Sequence, residues 1–176
     1  MASRPARRLV LLRHAKSAWP DLPDHDRPLA GRGRGDAPAM GRWLRERGCG
    51  PDLVWCSTAR RAAQTWQLAA AGLGAEPPVT YQPRLYGATG DELAALIREA
   101  PAAAATLLLV GHNPGIQELA LNLAAADDDP AGALGRAAAK FPTAAIAVLE
   151  FDGGWPELSA GGARLVSFVV PRELRR

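Results

Sequence analysis

The sequence predicts a three-layer α/β/α sandwich around a mostly parallel central sheet with an antiparallel edge, and three observations carry that prediction. Short apolar runs alternate with stretches of helical spacing through most of the chain, the order that builds βαβ units. Two of these runs, Leu9-Val10-Leu11-Leu12 and Leu107-Leu108-Leu109-Val110, are apolar without interruption, which suits strands covered on both faces. The last two runs are separated by Gly-rich turns, which lets them pair antiparallel at one edge.

The first strand runs from Arg8 into Arg13-His14, so it ends by presenting two polar side chains. In open α/β sheets ligands bind outside the carboxyl ends of the strands. Trp19 to Leu29, rich in proline and aspartate, reads as loop. The Gly/Arg alternation from Gly31 to Gly35 is expected to be a flexible lead-in, with the helix starting near Asp36 and Pro38 and stopping near Gly48. Asp52 to Cys56 is a second strand that ends at Ser57-Thr58. A helix from about Ala59 to Ala71 follows, closed by Gly72 and Gly74. Pro78 to Gln82 is a short third strand, and Thr89-Gly90-Asp91-Glu92 opens the next helix as a capping box.

Thr106 to His112 is the clearest strand, and it too ends in histidine. Asn113-Pro114 reads as N-cap and first helical residue of the helix carrying Ile116, Leu119 and Leu123. The acid triplet Asp127-Asp128-Asp129 reads as an exposed turn before a weak, alanine-rich helix ending near Lys140. Ala144 to Phe151 and Arg164 to Val170 are the last two strands. Trp43 and Trp66 are expected in the core, and Trp19 at the mouth of a pocket. No repeat or long linker divides the chain, so residues 1–176 are expected to form one domain.

Composition narrows the function. A formal net charge of only +3, from 21 basic and 18 acidic residues, is read locally and not as a nucleic-acid footprint. Two cysteines, Cys49 and Cys56, are too few for a disulfide framework and read as free thiols. No apolar run is long enough to span a bilayer, and the N-terminal residues do not read as a signal peptide; a cytoplasmic location is expected.

Between the two His-terminated strands lies Ser57-Thr58-Ala59-Arg60-Arg61-Ala62-Ala63-Gln64-Thr65, a strand end turning into a helix with paired arginines. If parallel neighbours deliver all three ends to one rim, two imidazoles and two or three guanidiniums meet with few carboxylates among them. Guanidinium matches phosphate oxygens bidentately and keeps its charge at any working pH. A histidine among arginines is disfavoured in its protonated form, which leaves a neutral imidazole able to attack phosphorus. A zinc site of His14, His112 and Cys56 is disfavoured, because arginines repel a divalent cation. No metal or other cofactor is expected.

Arg13-His14-Ala15-Lys16-Ser17 resembles the Arg-His-Gly signature of the histidine phosphatase superfamily, and nearly everything from Arg8 to Val170 is similar to its small SixA-type phosphohistidine phosphatases. The resemblance extends over Asp26-Arg27-Pro28-Leu29, Ser-x-x-x-Arg-Ala-x-Gln-Thr, Tyr86 in Leu-Tyr-Gly, Gly-His-Asn-Pro and Phe-Pro-Thr-Ala-Ala-Ile. It implies a phosphoglycerate mutase-like fold and a phosphatase working through a phosphohistidine enzyme intermediate. His14 would be the nucleophile, with Arg13 on the phosphoryl oxygens and His112 stabilising the transferring group. The family's next arginine falls at Arg61, with Arg60 as the alternative, and Ser17 matches a phosphate-side serine. The implied partner is a phosphorylated substrate, in particular a phosphohistidine-bearing protein.

One part of the family pattern is missing. No glutamate stands directly before Leu85-Tyr86 to protonate a leaving alkoxide, and Asp91, Glu92, Asp24 and Asp26 are the carboxylates nearby in sequence. Phosphohistidine suits such a site, since imidazole departs more readily than an alkoxide. A phosphatase or mutase of small phosphate esters and a non-catalytic phosphate-binding module are the alternatives.

Overall fold

The computed structural model describes residues 6–126, 129 and 132–175. Asp127 and Asp128 of the acid triplet lie outside the described residues. The strands are β1 (Arg7–Arg13), β2 (Leu53–Cys56), β3 (Val79–Tyr81), β4 (Thr106–Gly111), β5 (Ile146–Phe151) and β6 (Arg164–Val169). The helices are α1 (Gly31–Glu46), α2 (Arg60–Leu73), α3 (Gly90–Ile97), α4 (Gly115–Leu123), α5 (Ala133–Ala139) and α6 (Pro171–Leu174).

The strands form one sheet in the order β3-β2-β4-β1-β5-β6. β3, β2, β4 and β1 are parallel, while β5 runs against both β1 and β6. The mostly parallel sheet with an antiparallel edge is therefore borne out. Side-chain alternation divides the core. Leu9, Leu11, Leu107, Leu109, Ala147 and Leu149 point into one layer with residues of α3, α4 and α5. Val10, Leu12, Leu108, Val110, Ile146 and Val148 point into the other with α1 and α2. A period of two on doubly covered strands is why these runs contain no polar residue.

Several boundaries differ from the sequence expectation, each for a packing reason. The Gly/Arg segment is the first turn of α1, which begins at Gly31 and carries Pro38 inside it. Gly33 packs so tightly on the Lys16 backbone that a Cβ there would lie 2.2 Å from its carbonyl oxygen. Tertiary contact overrides the poor helix propensity of glycine. Gly72 does not end α2; it meets α1, and its Cβ would lie 2.0 Å from Pro38 O. Gly74, with φ of 72°, is the left-handed cap. Helix α4 begins at Gly115, although the Asn113 side chain still accepts from the backbone N–H of Gln117 at 3.3 Å. Strand β5 begins two residues late, because Ala144 adopts φ of 62° and ends the preceding turn.

Trp43 and Trp66 are buried as expected, and so is Trp155, whose indole N–H donates to Ala104 O at 2.9 Å. The capping box at Thr89 and Glu92 forms on both sides. No described helix is long and apolar enough to cross a membrane.

Candidate active site

Strands β1 and β4 pair in register from Arg8↔Thr106 to Arg13↔Gly111, so the residues that follow, His14 and His112, emerge side by side. Their ring centroids are 5.2 Å apart. Strand β2 pairs on the far side of β4 up to Cys56↔Val110, and the chain then turns at Ser57 into α2, bringing Arg61 to the same rim. The sheet order thus gathers the three separated segments.

His14 is 7% exposed, and its Nδ1 lies 2.8 Å from Ala15 O. A carbonyl only accepts, so Nδ1 carries the proton and Nε2 keeps its lone pair. Burial, more than the neighbouring cations, lowers the His14 pKa to about 3. His112 Nε2 sits 2.7 Å from Ser57 Oγ, which also accepts from Ala59 N at 3.2 Å. A serine hydroxyl carries one donor and two acceptor sites, so this contact is satisfied by either neutral tautomer of His112. Burial lowers its pKa to about 4, with the Arg61 charge second. Both rings are neutral, as the sequence implied, but desolvation is the main cause.

The two buried neutral histidines make stability pH-dependent. Below the unfolded value near 6.5 the unfolded chain binds protons that the folded chain refuses until pH 3 to 4. Stability is therefore fully present above pH 6.5 and falls with decreasing pH, by up to about 1.4 kcal/mol per unit for each ring. Urea unfolding at pH 7.5 and pH 5 should show a loss of roughly 3–4 kcal/mol. The double replacement of His14 and His112 by Ala should flatten the profile, and an equally steep profile in that variant would contradict the assignment.

Arg13 donates from Nη1 to Phe141 O at 2.8 Å, and Arg61 donates from Nη1 to Asp24 O at 2.7 Å and from Nη2 to Asp24 Oδ2 at 3.1 Å. In each guanidinium the Nε is buried without a partner among the described residues, and so is His112 Nδ1. Three buried nitrogens in one cluster lack partners, where buried polar groups are nearly always satisfied. A fourth such atom, Arg7 Nε, belongs to the opposite end of β1.

The Gln-Thr pair of α2 has a positioning role. Thr65 Oγ1 accepts from Ala15 N at 2.9 Å and donates to Arg61 O at 2.6 Å, and Gln64 Oε1 accepts from Leu29 N at 2.8 Å. The Ala144 N–H, in its left-handed turn, lies 3.0 Å from the carbonyl oxygens of both Arg13 and His14. A strained residue held against the end of β1 fixes where the imidazole starts.

The other sequence candidates divide. Ser17 is buried, and its Oγ accepts from Arg27 Nη1 at 3.1 Å. Arg60 is exposed at the start of α2 and forms no ion pair with the cluster among the described residues. Glu92 serves the capping box, Asp91 is exposed beside it, and Asp26 lies 3.8 Å from His25 Nδ1 with a side chain 61% exposed. Trp19 is 77% exposed and stacks under the Arg27 guanidinium at 3.5 Å.

Asp24 is the residue whose place the sequence did not reveal. Its carboxylate accepts from Tyr86 OH at 2.5 Å, Arg61 Nη2 at 3.1 Å and Arg27 Nε at 3.1 Å. The tyrosine hydrogen bond and then Arg61 hold its pKa down to about 2. Tyr86 in turn meets His112 edge-on at 5.5 Å and His25 at 4.9 Å. The Asp-x-x-Arg spacing in a helical turn was the available signal, since Asp24 and Arg27 pair at i,i+3.

Arginines and neutral imidazoles at the carboxyl rim of an α/β sheet describe a phosphate-handling protein of the histidine phosphatase type, and sequence comparison agrees. The family model of the histidine phosphatase superfamily (branch 1) matches residues 9–104, more than half of the chain, and the chain belongs to that superfamily. It is 46% identical to an uncharacterised protein of Mycobacterium tuberculosis over 162 residues, 92% of this chain and all of that one. A structure from Nakamurella multipartitia, put forward as the phosphohistidine phosphatase SixA, superposes with a TM-score of 0.84 at 38% identity, covering 96% and 98% of the two chains. The phosphoglycerate mutase of Plasmodium falciparum shares the fold, with a TM-score of 0.61 at 17% identity over 94% and 91%.

Proposed function

We propose that the protein is a phosphohistidine phosphatase that needs no metal and works through a phosphorylated His14. The observation that carries this reading is the set of buried, unpartnered nitrogens on Arg13, Arg61 and His112, in the same cluster as the His14 ring. With the His112 proton on Nδ1 all three are donors and suit the three equatorial oxygens of a transferring phosphoryl group, where fixed cations act by positioning and electrostatic stabilisation. His14 Nε2 attacks phosphorus, the new N–P bond forms and the bond to the leaving group breaks. Water then attacks the phosphoryl group, the His14 N–P bond breaks, and inorganic phosphate and neutral His14 are regenerated.

The half-exposed carboxylate of Asp24 supports the choice of substrate. With a pKa of about 2, Asp24 is ionised and accepts hydrogen bonds, so it has no proton for an alkoxide. A phosphohistidine whose other ring nitrogen is protonated leaves as neutral imidazole and needs none. Side-by-side kcat/KM values for a phosphohistidine peptide and a panel of sugar and nucleotide monophosphates test the reading. The peptide should lead by at least an order of magnitude; equal or faster ester hydrolysis overturns the reading.

Asp24 also places a negative charge against the Arg61 guanidinium. Asp24→Asn keeps an acceptor oxygen and removes that charge, so inhibition by inorganic phosphate should tighten severalfold. Weaker inhibition would mean that the carboxylate acts mainly by holding Arg61 in place.

A further inference from the structure

The carboxyl rim of the sheet carries a cavity beyond the catalytic cluster. It encloses about 360 Å³, and its lining includes Arg32, Arg136, Lys140, Phe168, Arg172 and Glu173. Four cations thus meet a single carboxylate, and that one is paired with Arg136 at 2.7 Å. Arg136 is held on its other side by Phe168 O at 2.8 Å. Arg32 lies 3.7 Å from Asp36, which is already gripped by Arg175 at 2.8 Å. Lys140 and Arg172 form no ion pair among the described residues. Like charges brought together around a cavity lower one another's stability unless an anion sits among them.

The position of the cavity matters as much as its charge. Strand β6 ends at Val169 opposite Ile146, and Ile146 pairs on its other side with Leu12 of β1. The cavity residues Phe168 and Val170 therefore flank a strand end on the same rim as Arg13 and His14. Two strand spacings separate β1 from β6, roughly 10 Å between the backbones of Arg13 and the β6 end. Pro142 and Thr143 line it, directly after Phe141, whose carbonyl takes the Arg13 hydrogen bond.

We propose that this basic cavity docks an acidic segment of the protein substrate while the substrate's phosphohistidine occupies the catalytic pocket; this rests on the phosphohistidine reading above. An extended chain covers about 3.3 Å per residue, so the acidic side chains belong about three to four residues from the phosphohistidine. Charge complementarity fixes the occupant as acidic, and a cavity of this volume takes side chains larger than a lone inorganic ion. Such contacts act on encounter and retention and leave the chemical step alone.

Two phosphohistidine peptides, one with Asp or Glu at those positions and one with Ser, are compared with free phosphohistidine. The wild type should favour the acidic peptide about tenfold through KM, and added salt should erode the preference. Lys140→Ala/Arg172→Ala should abolish that preference with kcat and turnover of free phosphohistidine unchanged, and Lys140→Glu should reverse it. An absent preference, or one that survives the double replacement, overturns the docking assignment. So does tight binding of pyrophosphate or ATP that the double variant loses without any peptide preference, which gives the cavity to a small polyanion. Failure to hydrolyse free phosphohistidine is a different result, and counts against the catalytic reading instead.

Discussion

Replacing His14 with alanine is expected to lower turnover by on the order of 10⁴-fold or more and to remove acid-labile phosphoryl incorporation. The size follows from the proposed role, in which the ring supplies the attacking lone pair and no other group in the cluster replaces it. His112 Nε2 is taken by Ser57, and in the proposed mechanism its Nδ1 is a donor to the phosphoryl group. The Arg13 and Arg61 guanidiniums have no acceptor capacity at all. Alanine leaves the donors intact, so tungstate or phosphate should still bind the variant. Rapid-quench measurement of bound phosphoryl group, with circular dichroism to verify folding, checks the expectation. Retention of the covalent phosphoryl group in His14→Ala would rule out the mechanism. His112→Ala should be milder, since it removes one of three donors and leaves the nucleophile in place.

Much of this was legible in the sequence because it depends on strand ends. An apolar run followed by Arg-His, and another followed by Gly-His, fix two polar ends on buried strands; the β1–β4 register then makes them neighbours. The alternation of Leu9 and Leu11 against Val10 and Leu12 between two core layers is the same property seen from the side. What could not be read are contacts whose identity lies in the backbone or in loops. The Phe141 carbonyl that anchors Arg13 has no side-chain signature, and neither has the left-handed Ala144. Asp24 could be named as a carboxylate but not placed, because a loop of Pro and Asp has no periodicity to say which way it faces. The start of α1 is hidden from the sequence for a related reason: local propensity speaks against Gly31 to Gly35, and only the packing of Gly33 on Lys16 decides for helix. Counting back from the Gln64-Thr65 pair already favours Arg61 over Arg60, and the phase of α2 agrees by putting Arg60 in solvent and Arg61 in the cluster.

Arg61→Ala is expected to lower kcat/KM by about 10²–10³-fold, the usual result of removing one preorganised donor from a developing anion. Arg61 is buried at 5% exposure, with both terminal nitrogens on Asp24 and its Nε unpartnered. In the proposed mechanism truncation removes a phosphoryl contact and also releases Asp24, which is then a carboxylate near the incoming dianion without its main counter-charge. The second effect predicts coupling. In an Asp24→Asn background the loss from Arg61→Ala should shrink, and the cycle of single and double variants should depart from additivity by more than 0.5 kcal/mol, about the error for independent sites. Arg61→Lys should recover little, because a point charge supplies neither the Nε donor nor the two-pronged hold on Asp24. Arg60→Ala, one residue away and exposed, should stay within about twofold of wild type. Steady-state kinetics on a phosphohistidine peptide read all five variants. A larger loss from Arg60→Ala than from Arg61→Ala would move the phosphate contact to the neighbouring side chain, and additive losses at Asp24 and Arg61 would show that the carboxylate and the guanidinium act on the substrate separately.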